Sequence, residues 1–83
     1  MYSASDVARF IINWCNNSRI TITNLKLQKL LYFVQGEYSK ITGNRLIADD
    51  FQAWQLGPVI PSVYSSYAMY SSSPIWIQNI YNK

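Results

Sequence analysis

The sequence has no histidine, a single cysteine and only four carboxylate side chains in 83 residues. Each shortage removes a class of chemistry. Without histidine there is no side chain whose ordinary pKa lies near neutrality, and no imidazole for proton transfer or metal ligation. One cysteine, Cys15, forbids an internal disulfide and any cysteine-cluster zinc site, and its apolar helical surroundings predict a buried, inert thiol. Asp49 and Asp50 are adjacent, so on a strand they would point to opposite faces. Just before Phe51 they read as turn caps. The three glycines stand apart and form neither a phosphate loop nor a dinucleotide fingerprint. No acidic spacing resembles a calcium loop. The reading is a protein with no catalytic residues, no cofactor and no metal, and not an enzyme. Apolar runs fall far short of the ~20 residues that span a bilayer, so no membrane partner is expected. Met1-Tyr2-Ser3-Ala4-Ser5-Asp6 lacks the basic n-region of a secretory signal, and the expected location is the cytoplasm.

What the chain does have is aromatic surface. Hydrophobic residues make up 49% of it, which argues for a packed core and against disorder. The length allows one domain, and a domain this small buries roughly 60–65% of its unfolded surface. Seven tyrosines, several crowded between Tyr64 and Tyr81, are more than so small an interior can hold. Some must lie at the surface, where tyrosine offers a large contact area with a polar tip. The net charge of +3 is spread singly along the chain, unlike the clustered basic stripe of nucleic-acid readers. A segment around Lys26 and Lys29 is where a DNA-binding alternative would have to reside.

Periodicity predicts a mainly α fold of three or more helices, with a short β pair in the 45–56 region as an option. A first helix is expected over 5–17, capped by Ser3 or Ser5, with Val7, Phe10, Ile11 and Trp14 as its core stripe. Ile20-Thr21-Ile22 is a connector. The second helix runs from a Thr23 or Asn24 cap to about Ile41, with Leu27, Leu30, Leu31, Val34 and Tyr38 on its stripe. Phe33 widens that apolar arc, implying contacts on more than one side. Gly36 invites either close packing or simple tolerance, and Gly43 suits a left-handed helix end. Gly57-Pro58 fixes the backbone before a third helix that starts at Pro61 and reaches Met69, stopped by Ser71-Ser72-Ser73-Pro74. Ile75 to Tyr81 is ambiguous between strand and helix.

Two stretches carry the strongest signal: Asn24-Leu25-Lys26-Leu27-Gln28-Lys29-Leu30-Leu31-Tyr32-Phe33, and Ala53-Trp54 followed by Gly57-Pro58-Val59, Pro61, Val63 and Tyr64. Their wording and spacing resemble the SocA-like, or Panacea, domain family, which includes phage-associated GepA-like proteins. The resemblance covers about residues 5–70 and implies a single helical domain over 1–83, C-terminally short relative to the family. It further implies an antitoxin that binds and neutralises a toxin encoded nearby by protein–protein contact. The alternatives are a DNA-binding autoregulator of a toxin–antitoxin or prophage operon, a proteolysis adaptor, and a self-associating structural subunit. On residue chemistry, Gln28, Lys29 and Tyr32 lie off the main stripe of the second helix, where they are either solvated or in contact with a partner. Trp54 is expected to be core at least in part. Gly57 and Pro58 fix the backbone and shape the surface, and Tyr32, Trp54 and Tyr64 are the aromatic contact candidates. The expected partner-binding set is Gln28, Lys29, Tyr32, Trp54, Gly57, Pro58, Val59 and Tyr64.

Overall fold

The computed structural model describes residues 1–77. Three α-helices, α1 (Ala4–Asn17), α2 (Asn24–Thr42) and α3 (Pro61–Ser66), frame an antiparallel pair, β1 (Gln52–Trp54) and β2 (Gly57–Val59). A single 3₁₀ turn, Ala68–Tyr70, follows α3. The mainly α reading holds. β1 falls inside the 45–56 window and β2 just past it, because Gly57-Pro58-Val59 supplies the second strand. Leu46-Ile47 instead reaches back to the N-terminus: Tyr2 donates its N–H to the Leu46 carbonyl at 2.8 Å and accepts from the Ala48 N–H at 2.8 Å.

Helix ends follow the chemistry of their flanking residues. Ser3 Oγ accepts the Asp6 N–H at 3.1 Å, and the Asp49 carboxylate accepts the Ala4 N–H at 2.8 Å. Two otherwise unpaired donors at the start of α1 are thus met, and Asp49 caps a helix distant in sequence. Asp50 pairs with Arg45 at 3.1 Å. Thr23 Oγ1 caps α2 through the Lys26 N–H at 3.2 Å. Gly43, at φ 75°, closes that helix by donating to the Ser39 carbonyl. α3 begins at Pro61 as expected but stops at Ser66.

The core is set mainly by small and branched residues. Ala4, Ala8, Ile12 and Cys15 from α1 meet Leu27 and Leu31 from α2, together with Ile22, Ile47, Ile60, Val63 and Ile75. This rotates both helices relative to the expected stripes. On α1 only Ile11 of the four expected residues is buried; Val7 is half-buried, and Phe10 and Trp14 are exposed. On α2, Leu27 and Leu31 are buried, Val34 is half-buried, and Leu30 and Tyr38 are exposed. The physical reason is that alanine and cysteine let two helix backbones approach closely, whereas a Phe–Trp face would hold them apart. Ile75 is buried and its N–H bonds the Ile22 carbonyl at 2.7 Å, so 75–77 docks as irregular chain. The rest of the ambiguous terminal segment, including Tyr81, lies outside the described residues.

Candidate protein-binding surface

The second motif folds into a tight hairpin. Gln52 faces Val59, Ala53 faces Pro58 and Trp54 faces Gly57, leaving Gln55-Leu56 as a two-residue connection. Gly57 sits at φ 113°, a conformation that a side chain would strain, which is why glycine stands there. A hairpin of three-residue strands has little stability of its own. It is held by α2.

The holding groups are carboxamides. Gln28 is fully buried; its Oε1 accepts the Ile60 N–H at 3.0 Å, and its Nε2 donates to Asn24 Oδ1 at 3.2 Å. Asn24 in turn donates to the Tyr64 carbonyl at 3.0 Å, tying the end of the hairpin and α3 to one helix face. Gln35 repeats the device one turn beyond Leu31, accepting the Leu46 and Ile47 N–H groups at 3.2 and 2.8 Å. On α1, Asn16 donates to the Ile75 carbonyl at 3.0 Å and accepts the Ile77 N–H at 2.9 Å. A primary amide carries both donor and acceptor, so it can complete non-repetitive backbone that has no strand partner.

On this scaffold the aromatic residues converge. The Trp54 and Tyr64 rings meet edge to face with centroids 5.2 Å apart, and Trp54 Nε1 donates to Gln52 Oε1 at 3.1 Å. Trp54 remains 38% exposed, so it is an edge of the core and not its interior. Tyr32, exposed on the hairpin flank of α2, packs edge to face on Phe51, which leads into β1, at 5.2 Å. Lys29 and Pro58 are exposed, while Gly57 and Tyr64 are half-buried. Gln28 and Val59, expected among the contact residues, are closed off from solvent and hold the surface from beneath. Sequence reasoning missed Leu56, exposed at the hairpin tip, and put the exposed Phe10 and Trp14 on the core stripe, while Phe33, expected to make contacts on more than one side, is exposed as well. The signal for the latter was an apolar arc too wide for one buried face.

Burial pushes the Cys15 thiol above its ordinary value, with the Lys26 charge opposing, so it is a weaker nucleophile than a free thiol. Among the described residues no helix is long and apolar enough to cross a membrane.

These features define a small α-helical domain whose helix-borne amides clamp a β-hairpin with an aromatic edge. The chain belongs to the family described as antitoxin SocA-like, Panacea domain, whose pattern matches residues 27–82. It is 38% identical over 76 residues to antitoxin SocA of Caulobacter vibrioides, an alignment covering 92% of this chain and 39% of that protein. The chain thus spans about two fifths of the length of that curated relative. No solved structure matches it.

Proposed function

We propose that the chain acts as an antitoxin-type protein that binds a cognate toxin through the hairpin edge, with Trp54 and Tyr64 as its anchors. The carrying observation is that edge: an aromatic pair, 5.2 Å between centroids, fixed by a buried amide network yet open to solvent. Membership of an antitoxin family supports the class of partner. Tyrosine and tryptophan in rigid settings dominate protein interfaces because they gain much contact area for little lost freedom. Lys29, Tyr32 and Pro58 would form the surrounding rim, with Gly57 setting the turn geometry. Neutralisation by this route needs no chemistry from the chain, in keeping with a cytoplasmic, non-enzymatic role.

The test is co-expression with the small protein encoded beside this gene that arrests growth when expressed alone, reading growth rescue and complex formation together. Trp54→Ala and Tyr64→Ala should each weaken the complex roughly 10- to 100-fold, the usual range for an aromatic anchor. Lys29→Ala should change it by less than about threefold, as expected of a rim charge. Complex formation unaffected by either aromatic substitution, in variants that retain their fold by circular dichroism, would place the contact elsewhere.

A further inference from the structure

The opposite flank of α2 carries a second feature, distinct from the hairpin. Between α1 and α2 runs an apolar groove of about 630 Å³, lined by Tyr2, Val7, Phe10, Ile11, Val34 and Leu46. It continues into a recess of about 180 Å³ where Phe10, Trp14, Leu30 and Val34 meet above Cys15. Phe10 is 71%, Phe33 62% and Trp14 57% exposed. Leu30 and Tyr32 point about 200° apart around the helix, so this groove and the Tyr32 flank face different directions.

We infer that this groove is a docking site for a second copy of the chain, forming a twofold dimer. Two observations select that occupant. The first is area. Taking roughly 150–250 Å² for each aromatic side chain, Tyr2, Phe10, Trp14 and Leu30 in the groove, with Phe33 one turn past Leu30 and Ile41 two turns past Val34 on α2, offer on the order of 700 Å² of exposed apolar surface. A stable interface uses about 800 Å² per partner, and the largest apolar patch on a monomer is usually about 300–600 Å².

The second is the distribution of charge. Asp6 lines one end of the groove. At the other end lies Cys15, and Lys26 stands one helical turn before Leu30, which lines that recess. A twofold axis crossing the groove reverses its direction in the second copy. The Asp6 end of each chain then lies over the Lys26 end of the other. Opposite charges meet at both ends, and the protruding Phe10 and Trp14 rings have a groove to enter.

Sedimentation velocity across a dilution series tests this. The wild type should pass from monomer to dimer in the micromolar range. Trp14→Asp and Leu30→Asp, both at exposed positions, should raise the dissociation constant at least roughly tenfold while leaving the circular dichroism spectrum unchanged. Lys26→Glu should weaken the dimer, and adding Asp6→Lys to it should restore most of the loss. That rescue is a result no general effect on folding would give. A chain that stays monomeric throughout overturns the inference. So does a dimer indifferent to Trp14→Asp and Leu30→Asp, or a groove shielded only when the toxin is added.

Discussion

Gln28 shows how much one side chain can decide. A glutamine on a leucine-rich helix reads from sequence as solvated or as a contact, because amides are usually found outside. Here it is enclosed, and it serves the Ile60 N–H and Asn24 at once. Replacing it with leucine keeps the bulk but leaves the Ile60 N–H buried and unpaired. The expected loss is about 1–3 kcal/mol, measured by denaturant unfolding at neutral pH. Gln28→Glu retains an acceptor but buries a charge and removes the donor to Asn24, so it should be at least as damaging. The sequence displays the residue but not its burial, because its principal partner is a backbone amide 32 positions away.

At the scale of elements, the helix starts and the end of α2 were legible, since their causes are local: Ser3, Thr23, Gly43 and Pro61 each act within a turn of where they stand, whereas α3 stops short of Met69. The faces were less so. α1 carries two adjoining apolar stripes, and bulk pointed to Phe10 and Trp14, whereas close approach favoured Ala4, Ala8 and Cys15. Gly36 was open between two readings, and the geometry decides it. A Cβ built there meets nothing within 4 Å. The glycine is therefore not a packing requirement, and it carries only the entropic cost of glycine inside a helix. Gly36→Ala should stabilise the protein by about 0.5–1 kcal/mol. In a thermal melt that corresponds to a rise of roughly 2–8 °C for a domain of this size.

For the molecule as a whole, the titration of its partly and fully buried groups sets an alkaline limit. Burial raises the Tyr67 hydroxyl above its ordinary value of 10.0; Arg9 opposes this and Tyr70 adds to it. Cys15 is raised above 9.0 by burial as well. Both groups are neutral when protonated, so the folded state holds their protons more tightly than the unfolded chain does. Their contribution to stability is whole below the ordinary values and is lost as pH climbs through the raised ones. Denaturant midpoints should therefore be flat with respect to these two groups up to about pH 9, then fall. Tyr67→Phe should lessen the fall without changing its onset at Cys15.

The carboxamide clamps also give the protein a clock. Asn16, Asn24, Gln28 and Gln35 join segments that share no regular hydrogen-bond ladder, and primary amides are the side chains that water slowly hydrolyses. Conversion of Asn16 to aspartate would replace the donor facing the Ile75 carbonyl with an acceptor, setting two oxygens against each other 3.0 Å apart. That change would weaken the hold on residues 75–77, which keep the Ile22 carbonyl and the acceptor for the Ile77 N–H, while the hairpin stays fastened through Gln28. The chemical age of a molecule would then be written in which clamp it has lost.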